Sequence, residues 1–395
     1  MKNKIFELPY IGYSSISDVD LLYTAAGDFS VIMSIENPVI SLSADERGYL
    51  NLHELLLKVI KVMGEGHLLQ KQDVFIKRTY RPPESKEYLQ QSYDSHFSGR
   101  RYHELKTYLV LTRQVDRGRF YVFDAKSLNA FSRTIFKVLD LLKDAGLNPF
   151  FLTSNQIDRY IGQTLAMDFS SELAPRENIL VRDNQIDIGK RAVRCISLID
   201  NDRMDLPNAL GAYQLKNDGK AMRDFAVDNL SFLHQAPSYE CMVYNQVISI
   251  PAQRAILAGL TLKQKRHAGI PDPANKLCVE DISSLLSQVA RDNQLLVHAH
   301  FNMMICAQAS KIDEVSNFIE SSLFSIGIIP SRNAYNQLEL FRASLPANAS
   351  MLKGYDMVLL PSQAALCLVF KEGLQKSEVS DFLIRFTDRM GIPIS

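Results

Sequence analysis

The chain has 395 residues, more than one hydrophobic core usually serves, which points to two or three folded units. Hydrophobic residues make up 46% and charged residues 22%, the balance of a folded protein, and 18 glycines with 15 prolines are too few for a disordered or collagen-like chain. Lys+Arg and Asp+Glu each number 44, so no overall charge excess draws the protein to DNA or to anionic lipid.

Five cysteines, Cys195, Cys241, Cys278, Cys306 and Cys367, fit neither a disulfide framework nor a zinc ribbon. Their absence from the first half suits a reducing, cytoplasmic setting. The stretch from Met1 to Glu7 carries no apolar run of signal-peptide length. The longest charge-free stretches, 293–310 and 357–370, are too polar or too short for a membrane span, which needs about 20 apolar residues. No direct span is expected.

In chain order, Leu21–Thr24 and the alternating Phe29, Val31, Met33 and Ile35 read as a hairpin turning near Gly27 and ending at Pro38. Leu52, Leu55, Leu56, Val59, Ile60 and Met63 recur at helical spacing and stop at Gly64. Asp73–Arg78 reads as extended, Ser85–Tyr93 as a polar helix and Tyr108–Leu111 as a buried strand. Leu128, Phe131, Ile135, Val138, Leu139 and Leu142 predict a second strong helix, followed by Phe150–Leu152. Short strands are expected at Ile179–Val181, Ile186–Ile188 and Val193–Ile199. The second half repeats the order: a strand over Met242–Ile250, a helix through Lys265, and a helical stripe at Val279, Ile282, Leu285, Leu286 and Val289. A long strand over Leu295–Ile305, a helix over Ile312–Ile326 and a strand at Ile328–Ile329 complete it. The fold class expected is α+β: two ferredoxin-like strand–helix–strand–helix–strand units with helices on one sheet face and an internal duplication. Boundaries follow at 1–170, 171–345 and a closing segment 346–395.

Phosphate-cradle chemistry needs G-x-x-x-x-G-K-[ST]. Gly189-Lys190 has Asn184 and Arg191 at the flanking places, and Gly219-Lys220 has Gln214 and Ala221, so both fail twice. No G-x-S-x-G, H-E-x-x-H or C-x-x-C occurs. No carboxylate pair marks an acid and base, and no catalytic residue is assigned. His298 and His300 share a strand face with Asn302 and are the weak candidates for a metal, with a polar sheet face as the bland alternative. Lys263, Lys265, Arg266 and His267 end a helix, where cations suit the macrodipole, or else contact phosphates. The apolar segment Met357–Phe370 reads as a docking patch or as a buried strand pair about Pro361.

Several segments recur in a familiar order: Leu8–Gly12, Gly27–Ser30, Ile35–Pro38, Gly64–Gly66, Gln70–Phe75, Phe341–Pro346, Pro361–Leu366 and Phe386–Arg389. Together this set resembles the N-terminal region of the TraG family of conjugative-transposon ATPases, which are similar to the large cytoplasmic motor of type IV secretion systems. Ala347 stands where the related segment carries glycine. The resemblance implies a motor domain, with its phosphate loop, ATP and Mg, downstream of Ser395, and no cofactor in this chain. It also implies a non-catalytic docking role in conjugative DNA transfer. The region would pack on inner-membrane conjugation or secretion subunits and on its own neighbours, cytoplasmic and peripheral to the inner membrane through those partners. DNA binding by this region is not expected. Two readings compete: a stand-alone α+β enzyme with a site near His298 and His300, and a nucleic-acid-binding module using Lys263–His267.

Overall fold

The computed structural model describes residues 6–41, 43, 45–82, 88–115, 125–170, 177–198, 212–215, 225–270, 272–331, 336–375, 386–387, 391 and 393–394. Strands β1 (Tyr10–Ile16) and β2 (Val19–Thr24) form a hairpin whose two turn residues, Ser17 and Asp18, both take positive φ. That turn matches the right-handed twist of the strands. β3 (Phe29–Ile35) and the short β4 (Val39–Ile40) lead into α1 (Glu46–Met63). Asp45 starts this helix by accepting from the Gly48 amide at 2.9 Å, and Gly64, at φ 68°, stops it. β5 (His67–Thr79), α2 (Tyr88–Phe97), β6 (Arg101–Arg113), α3 (Ala125–Asp144), β7 (Phe150–Phe151) and α4 (Ser154–Ala166) follow. Next come β8 (Ile179–Val181), β9 (Ile186–Ile188), β10 (Arg191–Ser197), β11 (Ala212–Leu215), β12 (Phe225–Asp228) and β13 (Cys241–Ile250). The remainder runs α5 (Gln253–Ala268), α6 (Pro273–Asp292), β14 (Leu296–Gln308), α7 (Ile312–Ser325), α8 (Gln337–Ala343), β15 (Val358–Pro361), α9 (Ser362–Ala365) and β16 (Glu372–Gly373).

The protein is α+β, and its centre is one antiparallel sheet of 12 strands in the order β1-β2-β3-β6-β5-β13-β14-β10-β9-β8, with β7 on β3 and β15 on β14. β5 pairs with β6 from His67 to Thr79 and with β13 from His67 to Ile76, so both halves of the chain share one continuous sheet. α1, α3 and α7 pack on one face, where Leu56, Val59, Phe131, Val138, Val315 and Ile319 are buried. α4 and α8 cover part of the other face through Ile157, Tyr160, Ile161, Leu340 and Phe341.

Three expectations change. Helices lie on both faces, because Val74, Ile76, Val110, Val243 and Met304 make the second face apolar too and it must be covered. Ile328–Ile329 forms no strand; the following Ser331 amide makes one bond to the Ser197 carbonyl at the end of β10. Met357–Phe370 is not a strand pair but one strand and two helical turns, and its Leu360, Leu366, Leu368, Val369 and Phe370 are buried. The apolar character that suggested a docking patch is consumed inside the core. Among the described residues, no helix is long and apolar enough to cross a membrane.

Candidate functional site

Strand parity sends alternate residues of β5 to opposite faces, and its central residues are polar on both. Lys71 and Asp73 point to the α1 face; Gln70 and Gln72 point to the other. All four are 2% exposed or less.

On the α1 face, Lys71 Nζ lies 2.5 Å from Asp73 Oδ2 and donates to the Phe370 carbonyl at 2.9 Å. Asp73 also accepts from Gln246 at 2.7 Å, Thr107 at 2.7 Å and Asn37 at 2.9 Å. Asn37 donates further to the Glu372 carbonyl at 2.9 Å. The Glu372 carboxylate accepts from Tyr49 at 2.6 Å, Ser41 at 3.0 Å and the Asp228 amide at 2.9 Å. His234 Nε2 stands 3.5 Å from Glu372 Oε2, an ion-pair distance without a made hydrogen bond. Lys371 donates to the Leu366 and Val369 carbonyls at 3.0 and 2.6 Å, and its amide reaches Asp228 at 3.2 Å. Side chains from β5, β12 and β13, together with Asn37 ahead of β4, therefore grip the backbone of 366–373.

Burial dominates the electrostatics here. It lowers both Lys71 and Lys371, opposed by Asp73 and Asp228 respectively. It pushes the Asp228 carboxyl up to about 7. Burial also pushes Glu372 up, but His234 and Tyr49 outweigh it and hold that carboxyl below its ordinary value. His53 is lowered to about 4 by burial and then by Lys371, and among the described residues neither of its ring nitrogens has a hydrogen-bond partner. Two lysines and three carboxyl groups thus lie together in the buried interior. Lys71, Asp73, Asp228, Lys371 and Glu372 are all at 2% exposure or less, and their bonds hold together segments far apart in sequence.

On the other face the amides form a ladder. Asn245 Oδ1 accepts from Gln70 and Gln72 at 2.9 and 3.0 Å, and Asn245 Nδ2 donates to Asn302 at 2.9 Å. Asn302 donates to Ser344 Oγ at 2.8 Å, and Gln72 to the Ser344 carbonyl at 2.7 Å. Gln70 accepts from the Ala347 amide at 2.9 Å, and Tyr160 donates to Gln72 at 2.6 Å. This ladder fixes the turn after α8.

His298, His300 and Asn302 share a face of β14, but they do not converge on one point. His300 is buried and bonds the Asp356 carbonyl through Nδ1 at 2.6 Å, while Asn302 belongs to the amide ladder. Burial lowers both histidines and favours the neutral rings. Among the described residues, no group of three His, Cys, Asp or Glu side chains is placed to hold a metal ion. Lys263, Lys265 and Arg266 are exposed on α5, with His267 bonded to Asn275 at 2.6 Å across to α6. An open depression lined by Glu177, Gly189, Lys190, Arg191 and Glu240 has Arg191 facing Asp168 and Glu177 at 3.8 and 3.9 Å.

Sequence reasoning missed the charged cluster. Its signal was present: Lys371 and Glu372 directly follow Val369-Phe370, and Lys71 lies inside a strand, positions where a solvated charge is out of place. No protein-family model matches the chain, and no curated protein matches it.

Proposed function

We propose that this chain is the docking and assembly region of a conjugation ATPase of the TraG type, non-catalytic by itself and built from two ferredoxin-like halves. The observation that carries the reading is the convergence of the segments behind the resemblance. Asn37, Gln70–Asp73 and Ser344–Leu345 lie far apart in sequence and bond to one another at the centre of the sheet. That arrangement suits a rigid platform, with residues 366–373 held against its centre.

The strand order supports the two halves. β7-β3-β6-β5 runs fourth, first, third, second within the first half, with α1 and α3 on one face. β13-β14-β10 runs second, third, first in the other direction once β10, in place of the Met242–Ile250 strand expected from the sequence, is taken as the first strand; α5 and α6 then fall between the second and third strands, where the ferredoxin-like pattern has a hairpin. A duplication would place the two second strands, β5 and β13, side by side.

The test is a pull-down of the full chain against the inner-membrane conjugation subunits, beside an ATP hydrolysis assay. Specific retention of one or more subunits without turnover is expected. Binding to none of them, or turnover that follows the folded protein through repurification, overturns the reading.

A further inference from the structure

The sheet face under α4 and α8 gathers sulfur. Met167, Cys195, Cys241, Met304 and Cys306 belong to one buried cluster there, each 4% exposed or less. Three of them meet by register. Cys241 on β13 stands directly opposite Cys306 on β14, and Met304 lies two residues along β14 on the same face. A directly opposed pair holds its Cβ atoms about 4.5–5.5 Å apart, close enough for both sulfurs to reach one atom between them. Burial, and then the facing Cys306 thiol, pushes the Cys241 thiol well above its ordinary value. Cys195 stands opposite Met304 on the other flanking strand, β10.

A cation and an opening lie beside the pair. Cys241 Sγ donates to the Met167 carbonyl at 3.0 Å, and Arg191 donates to the same carbonyl at 3.2 Å. The guanidinium therefore sits near the thiol and favours its ionised form, opposed by Asp168. Arg191 also lines the open depression at this end of the sheet. The lining includes Glu240, next in the chain to Cys241, and Gln308, two residues past Cys306. A small ion in the depression is thus a short step from the two sulfurs.

The donor set decides which ion. Thiolate and thioether sulfur select soft metals, whereas carboxylate and carbonyl oxygen select hard ones. Among the described residues no third His, Cys, Asp or Glu is placed to complete a tetrahedral zinc site. Two thiolates and a thioether suit a soft monovalent ion of low coordination number. Binding exchanges both thiol protons for the ion and leaves one net negative charge, which Arg191 is placed to balance. The Met167 carbonyl loses its Cys241 donor in that exchange and keeps Arg191.

We propose that Cys241 and Cys306, with Met304, form a binding site for a soft monovalent metal ion, Cu(I) or its like, between β13 and β14 beneath the depression. The proposal does not depend on the docking reading. Free cysteines are common in protein cores. This pair differs in facing each other beside a cation and below an opening.

The test is anaerobic titration of the reduced full chain with Cu(I) held by bicinchoninate, read as loss of the coloured chelate. Stoichiometric withdrawal of the ion is expected, tighter as pH is raised because protons leave on binding. Cys241→Ala and Cys306→Ala should each abolish it, and the volume-conserving Met304→Leu should weaken it by about tenfold. Cys278→Ala with Cys367→Ala removes the two thiols nearer the surface and should leave it unchanged. Melting curves without metal establish that each variant is folded, and Cu(I) should raise the midpoint of the parent chain but not of Cys306→Ala. If either alanine variant fails to fold, Met304→Leu decides. Withdrawal by neither the folded chain nor the chain refolded with the ion present overturns the proposal. So does binding that survives Cys306→Ala, that is undiminished in Met304→Leu, or that vanishes with Cys278 and Cys367.

Discussion

Ala347 is buried at φ 63°, in the left-handed region that a side chain enters at a cost of about 1–2 kcal/mol. Its amide is held there by Gln70, so the conformation is imposed by the amide ladder. Ala347→Gly should relieve the backbone while losing a buried methyl and some unfolded-state entropy, for a net gain of up to about 1 kcal/mol. Denaturant unfolding measures it, and a loss of stability would show that the methyl packing matters more. The sequence marked this position only as a departure from glycine; the sign of φ needed the structure. Asp228 carries the second prediction. Its carboxyl moves from 3.8 to about 7 on folding, so the folded state holds a proton that the unfolded state lacks across that window, and stability falls as pH rises through it. His53 and His103 act oppositely, since burial lowers both from 6.5 to about 4 and stability falls as pH drops through that range. Stability should therefore rise from pH 4 and flatten towards pH 7, where the opposing slopes of Asp228 and the histidines cancel. Asp228→Asn should steepen that rise, read as the midpoint of thermal unfolding against pH; an unaltered profile contradicts the assignment.

Elements with a clean apolar period were legible. α1, α3, β3 and β14 lie where their spacing put them: α1 and α3 bury one face on the sheet, and β3 and β14 carry an apolar set on the face those helices cover. Leu56 and Leu139 lie in two of these stripes, at 1% and 7% exposure. Leu56→Asp or Leu139→Asp should cost several kcal/mol, seen as loss of soluble protein, whereas an unchanged melting curve would contradict the packing. β5 was legible only in part, as Asp73–Arg78. Gln70 to Asp73 look like surface by composition, and only their partners on β13 and in 344–347 and 370–373 let them lie buried. The opposite error affects α5 and α6. Val279, Ile282 and Val289 have core spacing, yet they serve a seam between two helices that project from the sheet. Periodicity reports an apolar face; it does not report how much protein covers that face.

At the scale of the molecule, residues far apart in sequence complete each other. β16 pairs in parallel with β4, and Tyr10 bonds the Pro346 carbonyl at 2.6 Å. A chain shortened to end at Ala365 would leave Lys71, Tyr49 and Asp228 without Phe370, Lys371 and Glu372. Removing one side of a buried charged pair costs about 3–5 kcal/mol. The shortened chain should aggregate or lose its cooperative melt, as circular dichroism with sedimentation would show; an intact melt would mean that the cluster contributes little. The grip on 366–373 also sets a clock. Asp73 leaves the ribosome roughly 300 residues before Glu372, and at about 5–20 residues per second the half-built sheet waits some 15–60 s without the Phe370 carbonyl that Lys71 will bond. During that interval the emerging first half exposes the β5 edge that β13 will later cover, so nascent chains stalled before β13 should be bound by chaperones far more than those carrying the finished sequence.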